Sequence, residues 1–257
     1  MKLAVSGKGG TGKSSLSLLL AETFSKLGRR VLLVDADPDG NLADLMGIPS
    51  ESIVPIVEMK DLIRERTGGA PDGAASFIKL NPKVNDIPDT YAVERNGIKL
   101  IAMGTIKSGG SGCACPANSF VRQLLRHLIL ERDEVVIMDM EAGIEHMGRG
   151  TAEHVDCLLI VTEPNQTGLT TAERIIRLAR DLGIPNHVLI GNKIAGDEDK
   201  EFIETFAKNE KPFYIPFSRG ILRMSVSPGK PREMEPAVAD SLSAIIAGIR
   251  DMDTRKR

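Results

Sequence analysis

Eight residues near the start of the chain, Gly7-Lys8-Gly9-Gly10-Thr11-Gly12-Lys13-Ser14, constrain its fold more than any other stretch. The run before them, Lys2-Leu3-Ala4-Val5-Ser6, is apolar and β-like. The run after them, Lys13–Leu27, carries apolar residues at helical spacing and stops at Gly28. A Gly-x-x-x-x-Gly-Lys-Ser turn between a strand and a helix is a phosphate cradle. Its glycines let backbone N–H groups turn inward around phosphate oxygens, and the helix adds its positive end. The expected nucleotide is ATP, held by Gly9, Gly10, Thr11, Gly12, Lys13, Ser14 and Ser15. Lys13 is expected to reach the β- and γ-phosphates and Ser14 to ligate Mg²⁺. A glycine-rich turn with an incidental Lys-Ser is the plain alternative, and the flanking strand and helix weigh against it.

The rest of the chain repeats this alternation. Short apolar runs at Val31–Val34, Ile98–Met103, Val135–Met138, Cys157–Val161, Val188–Ile190 and Phe213–Ile215 read as buried strands. Helical patterns fill Asn118–Glu131, Thr170–Leu182, Lys200–Lys208 and Pro236–Asp251. Apolar strands separated by helices predict an α/β fold, a mostly parallel sheet with helices on both faces. Thr67–Asn96 breaks the rhythm with Gly, Pro, Asp and Asn, and reads as an excursion, a hairpin or loop with a possible strand at Phe77–Leu80. No linker divides the chain, so residues 1–257 are expected to form one domain.

Two aspartates follow strands at the end where open α/β sheets bind ligands. Asp139 closes the run Val135-Val136-Ile137-Met138, an arrangement that holds Mg²⁺ directly or through water. Val34-Asp35-Ala36-Asp37-Pro38-Asp39 supplies three carboxylates, of which Asp35 and Asp39 are also explained by capping or a turn.

The additional lysine, Lys8, makes the motif resemble the deviant Walker A box of the SIMIBI-class ATPases, the group of the nitrogenase iron protein, MinD and ParA. The resemblance implies that Lys8 reaches across a homodimer interface to the partner's nucleotide, as an arginine finger does. It implies that Asp37 positions the attacking water, and that Glu141 to Glu145 sit in the segment sensing the γ-phosphate. It also implies that Asn192, whose amide offers a donor and an acceptor, meets adenine, with Pro216 and Phe217 closing over the base. Thr11 stands where the family commonly has valine and Ser14 where it commonly has threonine, and both keep the physical role.

Gly112-Cys113-Ala114-Cys115-Pro116 stands directly before a predicted helix. Two thiols one residue apart can converge on one soft metal ion, and a helix N-terminus favours the ligating thiolate. Small loop residues or an oxidised pair would read the same way. Two sulfurs leave a metal half-ligated, and a twofold dimer would bring four together. This segment and Asp139-Met140-Glu141-Ala142-Gly143-Ile144-Glu145-His146 are similar to those of the CooC-type nickel-insertion ATPases. That resemblance implies Ni²⁺ between Cys113 and Cys115 of two subunits, with Zn²⁺ as competitor. It further implies carbon monoxide dehydrogenase or acetyl-CoA synthase as client.

Other classes fit less well. An electron-transfer protein like the nitrogenase iron protein places its cysteines far apart, on either side of the Walker B aspartate. A partition or positioning ATPase needs a basic surface or an amphipathic terminal helix, whereas this chain has a formal net charge of −2 and its last helix, Pro236–Asp251, reads as core-packing with a short tail after it. Neither nucleic acid nor membrane is therefore an expected partner. No apolar run approaches a membrane span, and the first strand begins at once, so the expected location is the cytoplasm. Cys157 reads as a small core residue, and His127 and His187 as structural residues without evident partners.

Overall fold

The computed structural model describes residues 1–37, 40–68, 79–104, 116–142, 144, 149–207, 210–229 and 234–254. Its elements in chain order are β1 (Lys2–Gly7), α1 (Lys13–Lys26), β2 (Val31–Asp35), α2 (Leu42–Met46), α3 (Lys60–Thr67), α4 (Ile87–Thr90), β3 (Val93–Arg95) and β4 (Ile98–Ala102). There follow α5 (Pro116–Leu130), β5 (Val135–Asp139), α6 (Arg149–Ala152), β6 (Cys157–Thr162), α7 (Gln166–Leu182), β7 (His187–Ile194), α8 (Asp197–Ala207), β8 (Phe213–Pro216), α9 (Arg219–Leu222) and α10 (Pro236–Thr254).

The described strands form one eight-stranded sheet in the order β3-β4-β2-β5-β1-β6-β7-β8. Every described pairing is parallel except β3 with β4. Successive side chains of a strand face opposite sides, so each central strand feeds two cores. Leu3 and Val5 of β1 pack with Leu16 and Leu20 of α1 and Leu242 and Ile245 of α10. Ala4 faces the other core, with Phe120 and Leu124 of α5 and Ile175 of α7. Burial on both faces is why these strands are apolar without alternation. Cys157 is fully buried in β6, as expected of a small core residue. Among the described residues no helix is long and apolar enough to cross a membrane.

The departures lie in the excursion. Lys79 and Leu80 are not in a strand, and residues 69–78 fall outside the described residues. The strand that does form there is β3, and its turn into β4 is Asn96-Gly97, with φ of 54° and 74°. Positive φ at both central residues is the two-residue hairpin geometry, which Asn-Gly favours. Arg66 at the end of α3 forks onto Asp86 at 2.9 and 2.7 Å, closing the two sides of the excursion.

The chain winds outward from β1 in two directions, to β2 and β4 on one side and to β6, β7 and β8 on the other. Such a reversal opens a crevice at the C-terminal ends of the central strands. The turn after β1 lies at that crevice.

Candidate nucleotide site

Strand register builds the acidic side of the site. Asp35 of β2 is level with Asp139 of β5, and Val5 of β1 is level with Asp139 from the other side. Both carboxyls end buried strands, Asp35 at 3% exposure and Asp139 at 0%. Burial pushes Asp139 up to about 7; a hydrogen bond from Ser14 opposes the rise and the neighbouring Asp35 charge adds to it. Burial likewise pushes Asp35 up to about 6, against hydrogen bonds from the backbone of Leu42 and Asp37. Asp35 Oδ2 accepts from Leu42 N at 3.0 Å, at the start of α2. Asp35 therefore shapes the loop that carries Asp37, besides facing the site.

Two oxygens in this pair, Asp35 Oδ1 and Asp139 Oδ2, are buried with no hydrogen-bond partner among the described residues. Asp139 Oδ1 has a long contact of 3.4 Å from Ser17 Oγ. Orphaned carboxylate oxygens are rare because they carry a full desolvation cost. Beside the Ser14 hydroxyl they fit a hard divalent cation that takes its remaining ligands from water and phosphate, as Mg²⁺ does. No cluster of three or more His, Cys, Asp or Glu among the described residues offers an all-protein metal cage.

The phosphate side is the turn itself. Lys13 opens α1, is 6% exposed, and lies with Nζ 3.6 Å from Asp37 Oδ2. Gly12 has φ of 92°, and a Cβ there would lie 2.5 Å from Asn192 Nδ2, so only glycine fits. Ser15 stands one residue after Ser14 on the first turn of α1. Gly9 and Gly10 are exposed, and Thr11 is buried with Oγ1 donating to Lys8 O at 2.8 Å.

On the far side, Asn192 Nδ2 donates to Thr11 O at 2.7 Å and its Oδ1 accepts from Lys193 N at 2.9 Å. The amide keeps one N–H and one lone pair for a further partner. Pro216 ends β8 in register with Ile194, so it lies at the same end of the sheet as Asn192, and Phe217 beyond it is 49% exposed. Lys8 is exposed, and its Nζ donates to Thr167 Oγ1 at 2.8 Å within the same subunit.

Sequence reading missed Lys193, Glu163, Asn165 and Thr167, which border the turn. Asn165 is the N-cap of α7, its Oδ1 accepting from Gly168 N at 2.8 Å. An Asn directly before a helical run was the available signal. The histidines do have partners: His127 Nδ1 meets Glu131 Oε2 at 2.9 Å, one helical turn away, and His187 Nε2 meets Glu210 Oε1 at 2.8 Å across strand ends. Cys113, Cys115, Asp39, Glu145, His146 and Met147 lie outside the described residues; Pro116, the residue after the cysteine pair, opens α5.

Comparison with known proteins shows the family. Residues 2–227 match the CobQ/CobB/MinD/ParA nucleotide binding domain. The chain is 46% identical over 253 residues to the carbon monoxide dehydrogenase accessory protein CooC of Rhodospirillum rubrum, covering 97% of this chain and 96% of that protein. It is 45% identical to an ATP-binding protein of Methanocaldococcus jannaschii, covering 95% and 96% respectively. Its fold matches a ParA family ATPase from Chlorobium tepidum with a TM-score of 0.68 at 19% identity, covering 95% of this chain and 98% of that one. The chain thus belongs to the CobQ/CobB/MinD/ParA nucleotide-binding family and is a P-loop ATPase of the CooC type.

Proposed function

We propose that this ATPase is a nickel carrier, which binds Ni²⁺ between two subunits and uses ATP to deliver it to carbon monoxide dehydrogenase or acetyl-CoA synthase. The observation that carries the reading is full-length similarity to a carbon monoxide dehydrogenase accessory protein in a chain that holds Cys113-Ala114-Cys115 directly before α5. Nickel is cargo, and one subunit offers it two thiolates, so a second copy supplies the other two. The chain works in the cytoplasm and as one domain, the latter reading supported by its single described sheet.

The nucleotide chemistry follows from the residues around the turn. Backbone N–H groups from Gly9 to Ser15 wrap the phosphates, and Lys13 gives its ammonium to the β- and γ-oxygens. Ser14, Asp139 and Asp35 would hold Mg²⁺, which would supply charge neutralisation on the phosphates. Lys13 now pairs with Asp37 at 3.6 Å. A γ-phosphate arriving at Lys13 would loosen that pair and leave the Asp37 carboxylate to orient the attacking water. Lys8 leaves Thr167 and stabilises the transferring phosphoryl group on the partner's nucleotide. Asn192 gives its remaining N–H and lone pair to adenine, and Pro216 borders the base. ATP thus favours the closed dimer that completes the nickel shell, and hydrolysis opens it.

The test replaces Cys113 or Cys115 by Ser. The expected result is loss of nickel binding with ATP affinity retained, because the thiols belong to no part of the P-loop motif in the sequence. Undiminished nickel binding in both variants would remove the carrier reading and leave a metal-free nucleotide switch.

A further inference from the structure

The strand pairing of β7 with β8 breaks register between Gly191 and Ile194, and the two residues inside the break are Asn192 and Lys193. Lys193 has φ of 62°, a left-handed conformation that non-glycine residues seldom adopt. A bulge of this kind re-aims side chains. Here it turns both onto the back of the P-loop. Asn192 Nδ2 holds the Thr11 carbonyl at 2.7 Å, and Lys193 Nζ holds the Gly10 carbonyl at 2.9 Å. Lys193 Nζ is also ion-paired to Glu163 in the loop after β6, and the other oxygen of Glu163 accepts from Asn165 Nδ2 at 3.2 Å.

In a planar trans peptide the C=O and the next N–H point in opposite directions. Fixing the Gly10 carbonyl outward therefore turns Thr11 N–H back into the loop, where it donates to Lys8 O at 3.3 Å. Fixing the Thr11 carbonyl outward turns Gly12 N–H away from Asn192. Gly10 and Gly12 both have positive φ, 83° and 92°. Glycines in this region allow neighbouring peptides to flip at low cost. A flipped plane would point a carbonyl oxygen where phosphate oxygens should sit.

We infer that Lys193, held by Glu163, is a positioning residue for ATP hydrolysis, which with Asn192 locks two successive peptide planes of the P-loop so that the phosphate cradle exists before nucleotide arrives. Lys193 touches no phosphate in this role. It removes the alternative loop conformations that the glycines permit, and the binding of β- and γ-phosphates is stronger by that margin.

The experiment compares full-length wild type with Lys193→Met, Lys193→Arg, Glu163→Gln and the double variant Lys193→Met/Glu163→Gln. It reads calorimetric affinity for ATP, ADP and AMP, steady-state kcat and KM, and Tm. Losing one charge-assisted hydrogen bond that orders the cradle weakens ATP and ADP binding about ten-fold in Lys193→Met. AMP, lacking the β- and γ-phosphates, binds as before. KM rises more than kcat falls, Lys193→Arg restores most of the affinity, and Glu163→Gln adds nothing in the Lys193→Met background. Equal losses for AMP and ATP would overturn the inference, because Lys193 would then act on the base. A lower Tm with unchanged nucleotide affinity would overturn it too, by showing only a structural ion pair.

Discussion

Replacing Asp139 by Asn removes one of two buried carboxyls that stand level on the adjacent strands β2 and β5. In the nucleotide-free protein the ionised Asp139 is a burden, since its carboxyl is raised from 3.8 to about 7. At about 1.4 kcal/mol per pH unit, full ionisation costs the fold about 4 kcal/mol. The sign is that of an acid with a raised folded value. The folded protein binds more protons than the unfolded chain between pH 3.8 and about 7, so stability falls as pH rises through that window. The burden is absent below it and complete above it. Asn keeps a carbonyl oxygen for Ser17 and carries no charge. Urea unfolding without Mg²⁺ or nucleotide should therefore show the variant gaining on the wild type by about 2–3 kcal/mol between pH 5 and pH 8. Adding Mg²⁺ and ATP should reverse the order at pH 8, because the cation stabilises the charged site and the variant holds it poorly. An Asp139→Asn protein no more stable than wild type at pH 8, with a gap that does not change with pH, would refute the claim that the buried, unpartnered Asp139 carboxylate burdens the fold when no cation is bound.

Three further outcomes follow from other parts of the structure. Lys8→Ala should leave ATP affinity of the subunit within about two-fold yet lower ATPase activity at least about a hundred-fold, as measured by phosphate release, if Lys8 acts on the partner's nucleotide as a transition-state cation. Asn165→Ala removes the N-cap of α7, whose Oδ1 accepts from Gly168 N at 2.8 Å; thermal unfolding should report a loss of about 1 kcal/mol. Arg132→Met breaks the pairs to Asp89 at 2.8 Å and to Glu134 at 2.8 Å, and the Glu134 side chain is only 6% exposed. Leaving that buried carboxylate without Arg132 should cost about 3 kcal/mol in urea unfolding, more than removing an exposed pair would.

Most of the central fold was legible because β1, β2, β5 and β6 are buried on both faces and so appear as uninterrupted apolar runs. Helix α10 was legible for a similar reason, since Val238, Leu242, Ile245, Ile246 and Ile249 recur at helical spacing and all are buried. The short elements were not. Helices α2, α4, α6 and α9 span four or five residues each, too few to establish a period. The hairpin of β3 and β4 carried its signal in Asn96-Gly97, which sequence reading treated as the edge of an irregular excursion.

At the site, the residues that a motif names were legible and those that support them were not. Lys13, Ser14 and Asp139 follow from chemistry at fixed spacing. The role of Asp35 as a buried partner of Asp139 depends on parallel register between strands about a hundred residues apart in sequence. Lys193 and Glu163 are ordinary surface charges in a linear reading, and only the bulge in β7 brings Lys193 over Gly10. Lys8 was read from a resemblance as a residue acting in trans, and the structure adds the contact with Thr167 that such an action must break.

A nickel carrier of the proposed kind binds its metal only as two subunits, under the control of ATP. Size-exclusion chromatography with metal analysis of each peak, with and without ATP, measures this directly. The ATP-bound peak should carry about one nickel per dimer, from four thiolates around one ion, and the isolated subunit little nickel. Nickel retained at full strength by a monomer, whatever the nucleotide, would contradict it.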